Sequence, residues 1–330
     1  MDTVLPVIDI SNPTVEAGQK LYEAAASLGF VFIEGSGFTS DEVNQVFAVS
    51  KEFFSQSYDE KQKFAISKAN RGYSCMNREV LDTARKQGDP KEAFNFGQFK
   101  DDKAMQPLPQ AFSNFEQGIA DFQKKCHMTC HKLLDLLAVA LQVDPAQGGD
   151  EWFSSRHDWE KVSGSILRLL YYPAVSNSDG ENEIRAGAHT DYGSMTLLFQ
   201  REGQEGLEVL SPATNEWIAI PALPAKDSKS CPPIVVNIAD QLSFWSAGVL
   251  KSAVHRVRFP LQQVRLGVDR YSMAYFCHPA DDTLLEPVPS PIIQSLESEG
   301  ANAAAKSGDK VLTAGEHLIR RLAATYSWKQ

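Results

Sequence analysis

Cysteine is scarce in this chain, and the few cysteines lack the pattern of a secreted protein. Their number is odd and their spacing irregular, which excludes a disulfide framework; they stand at Cys75, Cys126, Cys130, Cys231 and Cys277. The N-terminal segment has no basic-then-apolar signal pattern. The Asn12-Pro13-Thr14 triplet is excluded as a glycosylation site because proline stands in its middle. These absences predict a reduced, cytoplasmic protein.

Two further absences exclude classes of partner. No apolar run approaches the roughly 20 residues that a membrane-spanning helix needs. The net charge of −10 and the pI near 5.3 give no basic excess for a nucleic acid. With 330 residues, 43% of them hydrophobic, the chain can bury a sizeable core. We therefore expect a small-molecule partner, no membrane and no nucleic acid, with a monomer as the default.

The pattern of residue types changes near residue 160. Before it, LPVIDI and FVFIE predict short strands, and residues 15–29, 40–56 and 111–143 predict helices, with Ser40 as an N-cap. Residues 66–108 are polar and predict mostly irregular structure. After residue 160 come short β-rich runs separated by Gly, Pro, Asn and Asp: SILRLLYYP, AHTDYGSMTLLFQ, LEVL, EWIAI, PIVVNIAD, SAVHRVRF and RYSMAYFCHP. Such runs predict a jelly roll or barrel, and the tail predicts a closing helix.

The expected fold class is therefore mainly β with α. We expect a double-stranded β-helix (jelly roll) core flanked by helices, with a helical N-terminal region. The anticipated segments are 1–120 for the N-terminal region, 121–285 for the jelly-roll core with its motifs in 162–280, and 286–330 for a C-terminal helical segment. They are expected to form one folding unit.

The most informative motif is His189-Thr190-Asp191, followed further on by His255. Side chains two apart on a strand share a face, so His189 and Asp191 are expected together at the start of a strand that continues as SMTLLF. With His255 they can form a triangle of two imidazoles and one carboxylate. This donor set leaves half of a metal's coordination sphere open and suits non-haem Fe(II) oxygen chemistry. A zinc hydrolase is not excluded by these three residues alone.

A second pair, Arg270 and Ser272, also shares a strand face, together with Ala274 and Phe276. Arginine binds a carboxylate through two parallel hydrogen bonds, and a serine hydroxyl adds a third donor. A surface ion pair is the alternative for Arg270. Because this arginine lies in an apolar strand, we predict instead that it binds an acidic ligand beside the metal.

These residues resemble a known family, the Fe(II)- and 2-oxoglutarate-dependent dioxygenases of the isopenicillin N synthase-like branch. The similar segments include LRLLYYP, AHTDYGSMTLL, IVVNIAD, LKSAVHRV and DRYSMAYFCHP, and the resemblance extends over nearly the whole chain. It implies that residues 1–120 are the family's N-terminal region. It also implies Fe(II) as cofactor, 2-oxoglutarate as cosubstrate and O2 as oxidant.

Carried over residue by residue, the resemblance makes His189, Asp191 and His255 the iron ligands. Arg270 and Ser272 would hold the far carboxylate of 2-oxoglutarate, and Tyr172 would contact the cosubstrate.

Candidate contacts to the substrate are less specific. Phe276 shares the face of Arg270 and is expected either to line the pocket or to pack in the core. Arg168 shares the face of Tyr172 and is expected either to reach the pocket or to form a structural ion pair. Arg71, Tyr73 and Phe94 lie in the irregular region that should cover the barrel mouth, where loops set substrate choice.

The implied activity is hydroxylation, desaturation, ring closure or ring expansion of a small metabolite in secondary metabolism, with succinate and CO2 as co-products. One alternative is a relative, similar to isopenicillin N synthase or ACC oxidase, that uses Fe(II) and O2 without 2-oxoglutarate. Such a relative can use Arg-x-Ser to hold a substrate carboxylate. A binding protein that has lost catalysis is a third hypothesis, which the complete triangle opposes.

Overall fold

The computed structural model describes residues 5–82, 84–85, 87–174, 184–260, 264, 267–298 and 311–326. Among these residues the strands are β1 Val7–Asp9, β2 Phe30–Glu34, β3 Gly72–Ser74, β4 Glu92–Phe96, β5 Phe99–Lys100, β6 Lys103–Ala104, β7 Ile166–Tyr172, β8 Ile184–His189, β9 Met195–Phe199, β10 Leu207–Leu210, β11 Trp217–Ala219, β12 Ile234–Ile238, β13 His255–Arg258 and β14 Arg270–Cys277. The helices are α1 Val15–Ser27, α2 Ser40–Phe54, α3 Tyr58–Gln62, α4 Gln110–Ser113, α5 Glu116–Ala140, α6 Asp240–Trp245, α7 Pro291–Ser298 and α8 Ala314–Tyr326. Short 3-10 turns lie at Pro145–Gln147, Gly149–Glu151 and Ser154–Arg156.

Two sheets make up the core. The larger has the order β1-β2-β12-β9-β14-β7-β4-β3, and the smaller has the order β11-β10-β13-β8. Apart from the parallel β1–β2 pair, the pairings are antiparallel, and strands distant in sequence lie side by side. This is the expected jelly-roll core with helices packed around it, so the predicted fold class is confirmed.

The larger sheet is covered on one face by helices. Met273 and Tyr275 of β14 belong to the same buried apolar cluster as Phe122 and Leu133 of α5. The intervening side chains of β14 point to the opposite face, because residues alternate along a strand. That opposite face lines the cavity described below.

The N-terminal elements differ in detail from the predictions. The long helix expected at 111–143 is two helices, α4 and α5. The N-cap of α2 is Thr39 rather than Ser40: the Thr39 hydroxyl accepts a hydrogen bond from the Glu42 amide, and the Glu42 carboxylate accepts one from the Thr39 amide. This reciprocal pair satisfies two amides that a helix start leaves unpaired.

The region expected to be irregular, 66–108, contains four strands, of which β3 and β4 extend the larger sheet beyond β7. The predicted closing helix is present as α8. Within the described part of the chain, no helix combines the length and apolarity required to cross a membrane.

Candidate active site

Two histidines and an aspartate converge where β8 and β13 pair. His189 is the last residue of β8 and lies opposite His255, the first residue of β13. Asp191 follows two residues after β8 ends, and its Oδ1 lies 3.8 Å from His189 Nε2 and 3.7 Å from His255 Nε2. One ligand atom from each residue lies within 4.8 Å of the other two, the spacing of a metal site.

The expected strand placement of this motif needs correction. His189 ends one strand and Asp191 lies in the turn, while MTLLF forms a separate strand, β9. A hydrogen bond from the first residue of α6 stabilises this turn: the Asp191 carbonyl accepts it from the Asp240 amide. The two side chains therefore meet through turn geometry and not through strand alternation.

Backbone carbonyls orient both imidazoles. His189 Nδ1 lies 2.7 Å from the Gly187 carbonyl oxygen, and His255 Nδ1 lies 3.1 Å from that of Ala253. A carbonyl oxygen can only accept, so each Nδ1 carries the proton and each Nε2 keeps its lone pair. Fixing the tautomer in this way is the usual support for a histidine metal ligand.

The aspartate is held as a carboxylate. Its Oδ2 accepts hydrogen bonds from Thr196 Oγ1 at 2.6 Å and Asn237 Nδ2 at 2.8 Å, which leaves Oδ1 facing the imidazoles. Burial opposes ionisation of Asp191, but the two histidines and these hydrogen bonds outweigh it and lower its pKa. Burial, with the neighbouring His255, lowers the pKa of His189 to about 4. Two neutral imidazoles and one carboxylate fit a divalent metal ion with open positions.

Arg270 lies in the same cavity, on the larger sheet. It is 1% exposed, donates from Nε to the Gln204 carbonyl at 3.0 Å, and donates from Nη1 to Ser272 Oγ at 3.1 Å. Its guanidinium carbon lies 5.0 Å from the centre of the Tyr172 ring. No carboxylate of the described residues forms an ion pair with Arg270, so this buried cation is suited to an anionic ligand.

Paired residues of β7 and β14 line the cavity along its length. Cross-strand partners are Arg270 with Tyr172, Ser272 with Leu170, Ala274 with Arg168, and Phe276 with Ile166. All eight line one cavity of about 1060 Å³, measured with its open mouth, and the metal-site residues line it too. At about 3.3 Å per residue, the Phe276 end lies roughly 20 Å from the Arg270 end.

Two of the predicted substrate contacts, Phe276 and Arg168, do line the cavity. Arg168 also forms a buried ion pair with Glu79, which in turn lies 3.1 Å from Lys91 Nζ. Both interpretations of Arg168 therefore hold at once, because a cavity residue also belongs to a structural ion pair.

The other three predicted contacts lie outside the cavity lining. Phe94 packs in the aromatic cluster of the helix-covered face, 5.1 Å from Phe53 between ring centres. Tyr73 lies opposite Phe94 and donates its hydroxyl to Glu92. The prediction that these two line the pocket is wrong, because strand alternation turns them away from the cavity. Arg71 packs against Gly97 instead, and its neighbour Asn70 lines the cavity.

A wall of the cavity that the sequence did not predict comes from α8. Leu318 and Leu322, one helical turn apart, line the cavity. Between them Arg321 reaches Asp240 Oδ2 at 2.6 Å and Thr190 Oγ1 at 3.2 Å. The helix is therefore attached to the turn that carries the metal-site residues.

Thr196 and Asn237 were also not predicted as parts of the site, although the sequence contains a pattern that could have identified them. Each is the single polar residue of an apolar strand, β9 (MTLLF) and β12 (IVVNI). A polar side chain at such a position needs a buried partner, which here is the Asp191 carboxylate.

Comparison with known proteins agrees with this geometry. A family model described as the N-terminal region of the non-haem dioxygenase in morphine synthesis matches residues 5–114, and the model of the 2OG-Fe(II) oxygenase superfamily matches residues 163–279. A 2-oxoglutarate-dependent dioxygenase of Didymella fabae is 31% identical, over 82% of this chain and 84% of its own. The chain belongs to the 2OG-Fe(II) oxygenase superfamily. The UPF0676 protein of Schizosaccharomyces pombe is 33% identical to this oxygenase, over 98% of this chain and 93% of its own.

A solved structure supports the same assignment. A full-length Neurospora crassa protein in complex with alpha-KG and thymine matches the oxygenase with a TM-score of 0.78 and 30% identity, over 98% of this chain and 97% of that chain.

The predicted family, the isopenicillin N synthase-like branch, is confirmed. The protein is a 2-oxoglutarate-dependent dioxygenase, with Fe(II) as cofactor. The hypotheses of an oxidase without 2-oxoglutarate and of a silent binding protein are therefore set aside.

Proposed function

We propose that this oxygenase oxidises a C–H bond of a small organic metabolite in secondary metabolism. The outcome is hydroxylation, or a related desaturation, ring closure or ring expansion, with release of succinate and CO2. His189, Asp191 and His255 hold the iron. Arg270 and Ser272 hold the far carboxylate of 2-oxoglutarate, with Tyr172 beside them.

One observation carries this proposal: the metal donor set and a buried arginine without a carboxylate partner among the described residues line the same cavity. The donor set comes from β8 and β13 of the smaller sheet, and Arg270 comes from β14 of the larger one. A dicarboxylate lying between the sheets can therefore reach both. It would supply the counter-charge that a buried guanidinium requires.

The bound iron and cosubstrate supply the oxygen chemistry, and the protein supplies placement and exclusion of water. Carbonyl groups fix the tautomer and the direction of the two imidazoles, while Thr196 and Asn237 keep Oδ2 of Asp191 turned away from the metal. Leu318 and Leu322 of α8 line the cavity on one side.

A small metabolite suits the remaining space. Beyond Arg270 and Ser272, the cavity continues past Arg168 to Phe276. We assign these last two residues to substrate contact. The core motifs resemble those of microbial members that tailor natural products, which supports a role in secondary metabolism.

Anaerobic titration with Fe(II) and then 2-oxoglutarate tests the ligand assignments. The expected result is the weak visible charge-transfer band of the iron-bound keto acid. The band should be lost in His189→Ala and weakened in Arg270→Ala. A band of undiminished strength in His189→Ala would contradict the assigned metal site.

We also propose that the anticipated segments 1–120, 121–285 and 286–330 form one folding unit. In support, one buried apolar cluster includes residues from Ile8 in β1 to Ala314 in α8.

A further inference from the structure

We propose that Asn70 is a substrate-binding residue whose side-chain amide donates a hydrogen bond to an acceptor oxygen of the substrate. This inference rests on the proposed function, since it takes iron and 2-oxoglutarate to occupy the sites assigned above. It narrows the substrate class to molecules that carry an accepting oxygen, such as a carbonyl, hydroxyl or ether group, at the side of the cavity formed by the N-terminal region.

Asn70 lies in a turn just before β3 and lines the cavity. The Asn70 amide donates to the Ser67 carbonyl at 3.0 Å, and the Ser67 amide donates to the Arg71 carbonyl at 2.9 Å. The backbone φ of Asn70 is 59°, in the left-handed region that asparagine tolerates better than most residues. The turn therefore fixes the position of this side chain before any ligand binds.

Hydrogen bonds from Asn95 determine which end of the Asn70 side-chain amide is already used. Asn95 Nδ2 lies 3.1 Å from the main-chain oxygen of Asn70 and 3.0 Å from Asn70 Oδ1. A main-chain carbonyl can only accept, so the Asn95 atom that faces it must be the nitrogen. That nitrogen can only donate, so the Asn70 atom beside it must be the oxygen. The Nδ2 group of Asn70, with two N–H donors, is left for another partner.

That partner is not another part of the described chain. None of the residues that the structure describes accepts a hydrogen bond from Asn70 Nδ2, and Asn70 is half-buried. A ligand that covers this group without accepting its hydrogen bond would remove the amide from water at a cost in binding free energy. A substrate oxygen placed against Nδ2 avoids that cost.

The position of Asn95 shows that this contact belongs to the cavity side of the larger sheet. Ala93, two residues earlier in β4, lies in the same apolar cluster as Leu170 and Ala274, which line the cavity. Side chains two apart on a strand share a face, so Asn95 also points to the cavity side. Asn95 is completely buried, and Asn70 lies between it and the cavity.

The proposed contact is separate from the cosubstrate anchor and from the support of the metal site. Across β7, Asn95 is level with Ala274 of β14, which is four residues, or about 13 Å, from Arg270. Thr196, which binds the Asp191 carboxylate, lies in β9, three strand spacings or about 14 Å from β4. The accepting oxygen and the oxidised carbon therefore belong to different parts of the substrate.

The test compares ketones with alkenes of the same shape on enzyme loaded anaerobically with Fe(II) and 2-oxoglutarate. The pairs are acetophenone with α-methylstyrene and cyclohexanone with methylenecyclohexane, whose members differ only in the accepting oxygen. Isothermal titration calorimetry measures binding and does not require turnover. Because each alkene is more hydrophobic than its ketone, the informative quantity is the ratio of the two dissociation constants, ketone over alkene, compared between wild type and variants.

Two variants remove the donor in different ways. Asn70→Asp keeps the shape of the side chain and an acceptor for Asn95, but it replaces Nδ2 by an oxygen. Asn70→Gly adds no charge and tolerates the left-handed backbone. In each variant the ratio should rise about two- to twelvefold, the value of one neutral hydrogen bond, because ketone binding weakens and alkene binding does not.

Asn215→Asp is the matched control. Asn215 has a φ of 57°, is exposed and does not line the cavity, so the ratio in this variant should equal that of the wild type. A ratio unchanged in both folded Asn70 variants would show that Asn70 acts only on structure, and it would overturn the inference. An equal rise in Asn215→Asp, or no binding of either ketone to the wild-type enzyme, would overturn it as well.

The charge-transfer band of the loaded enzyme, recorded before a probe is added, separates this failure from failure of the proposed function. With the band present, the error lies in the role assigned to Asn70. Without it, the error lies in the iron and cosubstrate assignment.

Discussion

Replacing Arg270 by glutamine should severely weaken binding of 2-oxoglutarate. The guanidinium is 1% exposed and is aimed by its hydrogen bonds to the Gln204 carbonyl and the Ser272 hydroxyl. Truncating one member of a buried, hydrogen-bonded charge pair costs about 2–5 kcal/mol. At about 1.4 kcal/mol per factor of ten, the dissociation constant should rise roughly 30- to 3,000-fold.

Calorimetric titration of the Fe(II)-loaded protein with 2-oxoglutarate, without oxygen, measures this change directly. Arg270→Lys keeps the charge but loses the planar fork, so its affinity should be intermediate. Ser272→Ala removes one hydrogen bond to a charged group, worth about 1.5–3 kcal/mol, and should weaken binding roughly 10- to 100-fold. Arg156→Gln is the control, since that arginine stacks on Trp152 and does not line the cavity.

The reasoning fails if folded Arg270→Gln binds 2-oxoglutarate within about threefold of the wild type, a difference no larger than one neutral hydrogen bond. It also fails if Arg156→Gln weakens binding as much as Arg270→Gln does.

Three further predictions concern the supports of the site. Asn237→Ala should lower iron affinity about 10- to 100-fold, measured by competition with a chelator, because the Asp191 carboxylate loses a donor that orients it; unchanged affinity would contradict this role. Leu322→Ala should leave 2-oxoglutarate binding unchanged but increase decarboxylation that is uncoupled from substrate oxidation, because a side chain of the cavity wall is shortened. The uncoupled reaction is measured as succinate formed in excess of oxidised substrate, and tightly coupled turnover would refute the prediction. Burial lowers the pKa values of His189 and His278 to about 4. Between about pH 6.5 and 4 the unfolded apoprotein therefore binds more protons than the folded one. The free energy of unfolding should consequently fall as the pH drops through that range. Urea denaturation at several pH values checks this, and His189→Asn should show a shallower loss.

The strands that carry the chemistry could be predicted because their signals are local. The β-rich runs predicted after residue 160 contain β7 and β9 to β14, whereas β8 overlaps them only at its last two residues; Arg270 and Ser272 share the expected face. His189, Asp191 and His255 come together as predicted. The error was the assumption of a continuous strand, since the chain turns after His189, where Asp191, Gly193 and Ser194 are residues typical of turns.

The substrate side was harder to predict because its contacts are not local. In β4 both faces are buried, so the run AFNF gives no hint that Ala93 and Phe94 belong to different apolar clusters. The aromatic residue lies on the helix side, not in the cavity. Leu318 and Leu322 are distant in sequence from the jelly-roll motifs, and only the docking of α8 brings them to the cavity.

The ladder between β7 and β14 separates the parts of the site that can change independently. Tyr172 and Arg270 occupy one end of it, and Ile166 and Phe276 occupy the other. Substitutions at the second end alter the space offered to a new compound while leaving the cosubstrate anchor intact. Directed evolution toward other compounds should therefore begin at Ile166 and Phe276, which lie farthest along the ladder from the cosubstrate anchor.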